Sequence, residues 1–394
     1  MSRTDTLLRD HDADDSGRVG MVELFFDLVF VFAVTQISHS LAANLTPIVA
    51  LQVALLICAV WWVWVFTAWA TNWLQCDTGP VRAMLFGLMF AGLLLSAAIP
   101  TAFAGNGLVF AGAYVAMQLG RTLFMIWAVG GDETLRRSFL RILVWLAVAA
   151  PFWIAGGLAE GWWRFALWVL ALGIEMASPA LYFGVPGLGR SRFSDWNVEG
   201  SHMAERCGLF VIIALGESLL MTGATYSAIA QPQWTHTAAF GLGFTASVAM
   251  WWIYFDIGAQ QGVRHIRESH EPGEMARAGY TYLHLPIVAG IIISAVADEV
   301  VLGQPGGVTG VGEMLVILGG PLLFLTGNAA FKAIPLGWWP LSHRVGLGIL
   351  GVLVVVSVWV SPVALSALSA LVLVVVAVWE NRSLGGHSTE AVNG

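Results

Sequence analysis

The chain alternates between runs of about twenty mainly apolar residues and short polar breaks, and this alternation constrains the fold more than any other feature. Twelve such runs lie at roughly 22–42, 47–69, 81–103, 107–128, 139–158, 162–183, 204–228, 236–256, 279–302, 311–333, 343–360 and 363–380. Only Ser361-Pro362 separates the last two, so ten or eleven spans is the alternative count. Only 11% of the residues are charged and 58% are hydrophobic. A soluble domain carries roughly 25% charged residues, so this chain could not cover a water-facing surface. The 19 Trp and 21 Phe suit the membrane–water interfaces. A soluble enzyme, a disulfide scaffold and a disordered chain are excluded. A nucleic-acid binder of the basic type is excluded by the net charge of −7. The expected fold class is an all-α polytopic membrane protein of about twelve transmembrane helices.

The bases orient the spans. Arg3, Arg9 and Arg18 precede the first span, and Arg82 follows the second. Arg136, Arg137 and Arg141 lie between the fourth and fifth, and Arg190 and Arg192 follow the sixth. Arg264, Arg267 and Arg277 follow the eighth, Lys332 and Arg344 flank the loop after the tenth, and Arg382 follows the twelfth. All fall on one side, with Arg164 alone opposite, so both termini are expected in the cytoplasm. The first 18 residues, with Asp10, Asp12, Asp14 and Asp15, do not read as a signal peptide. The three cysteines, Cys58, Cys76 and Cys207, form no CxxC and suggest neither a disulfide framework nor a zinc site. One Lys against 17 Arg, with abundant Ala, Gly and Val, suggests a GC-rich bacterial genome.

The two halves share motifs in order. AGLLLSA at 91–97 matches AGIIISA at 289–295, and WWVWVF at 61–66 matches WWIYFD at 251–256. Glu23 and Glu205 each open a Phe-rich run, and Gly120/Phe124 match Gly327/Phe331. The offsets grow from 182 through 190 and 198 to 207, as small loop insertions would produce. The expected organisation is a cytoplasmic tail at 1–20, a six-helix repeat at 21–183, a cytoplasmic linker at 184–203, a second six-helix repeat at 204–380 and a tail at 381–394. Six spans per half give the repeats the same topology, so they are parallel repeats related by an axis along the membrane normal.

Ionisable groups at membrane depth are functional candidates by default. Span 1 carries Glu23 and Asp27 one turn apart, and Asp27, Thr35 and Ser38 make a polar stripe. An acid pair favoured by the helix dipole is the plainer account of these acids. Span 7 carries Glu205, Arg206 and Glu217. Glu217 lies about 18 Å deeper than Glu205 at 1.5 Å per residue, and it shares a face with Arg206. An ion pair between Glu217 and Arg121 in span 4 is its structural alternative. Glu175 in span 6, Asp256 ending span 8 and His284, just before Pro286 in span 9, complete the set. Asp298, Glu299 and His39 read as rim or interfacial groups. Acids outnumber bases at depth, which favours a cation or proton route.

Several motifs fail in context. Gly346-x-Gly348-x-x-Gly351 lies inside an apolar span, where it suits helix packing rather than a dinucleotide. No P-loop or GxSxG is present, and His265, Glu268, His270 and Glu271 lack metalloprotease spacing. No catalytic residue, metal site or cofactor is expected.

The run Val22-Glu23-Leu24-Phe25-Phe26-Asp27-Leu28-Val29-Phe30-Val31-Phe32-Ala33, followed by Thr35-Gln36, closely resembles the opening motif of the bacterial low-temperature-requirement A (LtrA) family. Glu205 to Phe210, Leu215 to Ser218, and Tyr282-Leu283-His284-Leu285-Pro286 with Gly290 resemble further segments of it, and Cys207 stands where a bulkier residue is more usual. The likeness covers roughly 18–380 and implies a multi-pass bacterial membrane protein without specifying an activity. A weaker likeness, to potassium channels built from two six-helix repeats, rests on Phe26-Asp27. The Ser of their Phe-Ser-Asp motif is absent, and span 7 lacks the matching Asp. The expected function is a transporter or channel for a cation or proton-coupled solute. Its path would lie between the two halves and be lined by Glu23, Asp27, Glu175, Glu205, Glu217, Arg121, Arg206 and His284. Its partners would be the bilayer and a small ion or solute, with no nucleic acid, in the bacterial inner membrane. The alternatives are a membrane-state sensor or assembly factor, and an enzyme acting on a lipid-linked substrate.

Overall fold

In a computed structural model the described residues are 7–9, 19–191, 200–255 and 277–390. They form twelve α-helices and no strand. These are α1 (Met21–Ala42), α2 (Pro47–Trp73), α3 (Gly79–Ala98), α4 (Gly107–Ala128), α5 (Glu133–Leu158) and α6 (Gly161–Ala180). The series continues with α7 (Gly200–Ala228), α8 (Trp234–Phe255), α9 (His284–Gly303), α10 (Val311–Leu336), α11 (Leu341–Val356) and α12 (Pro362–Glu390). A π-helical turn, Arg277–Leu283, precedes α9. Asp256, the loop cluster from His265 to Glu271 and linker residues 192–199 lie outside the described residues.

Eleven of these helices are long and apolar enough to cross a membrane. The one that falls short is α6, because its 20 residues include Arg164, Glu175 and three Trp. Helices are the expected outcome in hydrocarbon, where each backbone donor and acceptor must find a partner within its own segment. Their ends carry local signals. Pro47 and Pro362 open α2 and α12, at the position where a missing N–H costs nothing. Asp132 accepts from the backbone N–H of Thr134 and Leu135, both at 2.9 Å, and caps α5. Gly337, at φ 76°, ends α10 in the left-handed conformation. Along α1 the buried positions are 23, 26, 27, 29, 30, 33, 34, 37, 38 and 41, while Phe25, Leu28 and Phe32 face outward. That is one helical stripe, and both acids of span 1 fall on it.

The chain divides into two compact units. The first holds α1 to Ser40, α2 to α6, and α7 up to Arg206. Within it α2 packs on α4 and α6, and α3–α4, α4–α5 and α5–α6 are neighbours. Trp61, Trp62, Trp64, Trp153 and Trp168 are all buried in it. Arg164, expected as the lone outer-side base, is not a loop charge. It is buried and donates to the carbonyls of Ala102 at 2.8 Å, Ala104 at 2.6 Å and Ala159 at 3.0 Å, tying down the turn after α3 and the end of α5. Arg141 is likewise buried and donates to the Leu188 carbonyl at 2.8 Å.

The second unit holds α7 from Cys207 and α8 to α12, with Leu41–Thr46. Here α8 packs on α9, α10 and α12, and α9–α10, α10–α11 and α11–α12 are neighbours. α9 and α10 approach closely through small residues, as membrane helices do. A Cβ on Gly290 would come to 2.5 Å from the Phe324 nitrogen, whereas one on Gly319 would meet nothing within 4 Å. Gly290→Ala is therefore expected to lower stability by about 1–3 kcal/mol through overpacking, and Gly319→Ala to change it little. Thermal melting of the detergent-solubilised protein compares the two.

Candidate functional site: buried charge centres

The acids of α1 do not stand alone. Glu23 and Asp27 are fully buried and one turn apart, and the guanidinium of Arg206 spans them. Its Nη1 donates to Glu23 Oε1 at 2.8 Å, and its Nη2 donates to Asp27 Oδ1 at 2.7 Å. Trp64 on α2 donates from Nε1 to the same Asp27 oxygen at 2.7 Å, and its ring lies under the guanidinium, 5.7 Å from Cζ to centroid. His202, one turn before Arg206, places Nε2 3.1 Å from Glu23 Oε1. The Asn72 amide approaches the other ring nitrogen at 3.3 Å, and Arg9 Nη2 lies 3.4 Å from Nε2. The Gly20 N–H and Arg9 Nη2 reach Glu23 Oε2 at 2.9 and 3.5 Å. Glu23 is thus saturated. Asp27 Oδ2 is different: it is buried and has no hydrogen-bond partner among the described residues. Beside this centre, outside the helices, burial pushes the Cys76 thiol up, and the Glu23 charge adds to the effect. The thiol stays protonated and is a poor metal ligand or nucleophile.

A second centre in the same unit surrounds Glu175. Tyr114 Oη and Gln118 Nε2 donate to its Oε2 at 2.7 Å each, and Trp153 Nε1 donates to Oε1 at 2.8 Å. Arg121 is joined to it through Gln118, whose Oε1 accepts from Arg121 Nη2. Arg121 Nη1 donates to Thr67 Oγ1 at 3.1 Å and to the Val63 carbonyl at 3.4 Å. Tyr114, Gln118 and Arg121 are spaced i, i+4, i+7 and share one face of α4.

The second unit holds the remaining buried candidates. His284 is fully buried. Its Nδ1 lies 2.8 Å from the Gly279 carbonyl, which can only accept. The proton is therefore on Nδ1, and Nε2 accepts from Tyr254 Oη at 2.9 Å. Tyr280 and Phe331 complete an aromatic box around the ring. Pro286 explains the π-helical turn before it: proline lacks an N–H and its ring clashes with the carbonyl four residues earlier, which opens the turn. Asp298 is not the solvated rim group that its position suggests. It is buried against Gly243, with the Ser218 and Thr222 hydroxyls in hydrogen-bonding reach. Glu217, next to Ser218, is buried too, whereas Glu205 is exposed. Lys332, counted above as a loop base, lies inside α10 and pairs with Glu380 at 2.7 Å.

The structure thus gathers Glu23, Asp27 and Arg206 in one centre, and Arg121 and Glu175 in another. His284 and Glu217 belong to the second unit. Sequence reasoning missed His202, Trp64, Tyr114, Gln118, Trp153 and Glu380. Two of the missing links were visible as spacing, His202/Arg206 at i, i+4 and Gln118/Arg121 at i, i+3. The others are uncharged indoles and phenols that pattern does not separate from core aromatics. Among the described residues no cluster of three or more His, Cys, Asp or Glu could hold a metal ion.

The family profile described as "Bacterial low temperature requirement A protein (LtrA)" matches residues 18–378. An uncharacterized protein of Rhizobium meliloti (strain 1021) is 41% identical over 372 residues, covering 94% of this chain and 90% of its own. No solved structure matches the chain.

Removing Arg206 would leave two carboxylates buried without their shared counter-charge. Arg206→Met is expected to cost about 3–5 kcal/mol. Adding Glu23→Gln and Asp27→Asn to it should recover most of that loss in a melting experiment.

Proposed function

The chain belongs to the bacterial low temperature requirement A (LtrA) family, and we propose that it carries protons, a small cation or a solute coupled to one across the bacterial inner membrane. It is a multi-pass helical membrane protein, and the observation that carries this reading is Asp27. A carboxylate kept only for stability would have both oxygens bonded, as those of Glu175 are. Asp27 instead commits one oxygen to Arg206 and Trp64 and leaves Oδ2 buried with no partner among the described residues. In a low-dielectric site such an atom is costly to maintain unless something binds there.

Two parallel repeats are part of the same proposal. The neighbour pairs of α2 to α6 all recur among α8 to α12, which supports a duplication along an axis normal to the membrane. The one-sided bases support cytoplasmic termini. A membrane-state sensor or assembly factor is the second reading, favoured by the fully satisfied carboxylates of Glu23 and Glu175.

Asp27→Asn separates the two. It preserves shape and the acceptor for Trp64 and Arg206, but removes the charge and the open oxygen. In proteoliposomes it is expected to lower proton, sodium or potassium flux at least about tenfold, equivalent to about 1.4 kcal/mol. Equal flux of all three ions through wild type and variant would overturn the transport reading.

A further inference from the structure

A short segment ahead of α1 is fastened to the end of α2. The Arg9 N–H donates to the Trp73 carbonyl at 2.9 Å, and the Gln75 N–H donates to the Leu7 carbonyl at 2.8 Å. Leu8 and Leu74 face each other between these bonds as an antiparallel pair. Leu7 is buried, and the Arg9 side chain is only 8% exposed. Arg9 Nη2 reaches Glu23 Oε2 at 3.5 Å and His202 Nε2 at 3.4 Å. Contacts then run inward from Arg9 to Glu23, from Glu23 to Arg206, and from Arg206 to Asp27. Arg9 thus stands at the Glu23 end of the centre, and Asp27 lies one turn further along α1.

The attachment is lighter than the centre it covers. Two backbone hydrogen bonds around one residue pair make no sheet, and an isolated two-stranded contact is marginal in water. The Arg9 contact is also the longest that Glu23 makes. Gly20, Arg206 and His202 approach the same carboxylate at 2.9, 2.8 and 3.1 Å. Were residues 7–9 to lift, both Glu23 oxygens would keep a partner, and Asp27 would keep Arg206 and Trp64. The segment can therefore leave without stranding a buried carboxylate, which Arg206 cannot do. Cys76 borders the same contact. It is buried, with Sγ 3.5 Å from the Leu74 carbonyl and Arg9 in hydrogen-bonding reach. A Cβ on Gly20 would come to 3.6 Å from Cys76 Cβ and 3.4 Å from Glu23 Oε2, so both residues flank one glycine.

We propose that residues 7–9 are a releasable strap that closes the Glu23 end of the Glu23–Arg206–Asp27 centre, and that the carried species reaches Asp27 from this end only when the strap lifts. Release breaks the two backbone hydrogen bonds and the Arg9–Glu23 pair and exposes Leu7 and Cys76; no covalent bond changes. Openings of this kind, confined to a segment with few buried contacts, occur without global unfolding. The effect of the strap on flux rests on the transport reading. Its closure over the centre does not.

A disulfide across the strap tests it. Leu8 and Leu74 occupy a non-hydrogen-bonded antiparallel position, where Cα atoms lie about 4.5 Å apart, within the span of a disulfide. In the full chain carrying Leu8→Cys and Leu74→Cys, oxidation is expected to hold the strap down and reduction to free it. Alkylation of Cys76 in detergent micelles, read by fragment mass, should slow at least about tenfold on oxidation and recover on reduction. Arg9→Gln, with Leu8 and Leu74 in place, should speed it several-fold. Equal alkylation of Cys76 in the oxidised and reduced pair, or in wild type and Arg9→Gln, would overturn the strap. If the disulfide does not close, or size-exclusion chromatography shows the pair misfolded, Arg9→Gln alone decides. In proteoliposomes the pair's proton, sodium or potassium flux should fall on oxidation and return on reduction. Flux that persists through the oxidised strap would remove the strap and leave the transport reading standing. No flux in wild type would remove the transport reading, and Cys76 alkylation would then decide the strap by itself.

Discussion

A charge in a low-dielectric interior persists only with a partner, and Arg206 meets that requirement for the first unit. Its planar fork binds two carboxylates on one helix face at once, an arrangement that a lysine, as a point charge, would not reproduce. The indole of Trp64 lies under the guanidinium and also donates to one of the acids it holds. His202 is carried one turn away on the same helix, so α7 contributes two groups to one centre. The position of α1 in the unit follows from these contacts together with its apolar stripe. The chain before α1 is tied in as well, through Arg9 to the end of α2 and to Glu23.

Much of this was legible in the sequence. Helices such as α1, α2 and α4 begin and end within a few residues of the apolar runs that announce them, because in hydrocarbon the length of a spanning element is set by the bilayer. The charged members of the centres were legible too, since so few charges lie at depth. Their partners were not. Glu175 is held by a phenol, an amide and an indole, and nothing in local pattern distinguishes a Trp153 that bonds a carboxylate from a Trp168 that packs. Long-range pairing was equally hidden. Arg206 and Glu217 share a helical face on the wheel, yet the partners of Arg206 are 179 and 183 residues away on α1.

Counting bases by their place between spans was misleading about their state. Lys332 and Arg164 lie near helix ends and Arg141 two turns inside α5, and all three are buried and bonded. A base at a helix end can be drawn inward wherever backbone carbonyls are left without intrahelical partners, as Arg164 shows. Loop charge and structural clamp are then the same residue type at the same sequence position, separated only by what the neighbouring helices leave unsatisfied.

Gln118 carries a mechanical consequence. Its oxygen accepts from Arg121 and its nitrogen donates to Tyr114 and Glu175, so the amide has one permitted orientation; turning it over would set donor against donor and acceptor against acceptor. Through it and its neighbours α2, α4, α5 and α6 are riveted at a single level. A helix sliding by one turn in this bundle would have to break contacts to two opposite charges in the same step. These four helices therefore form a stiff block, and any rearrangement of the chain falls to segments that this rivet does not hold.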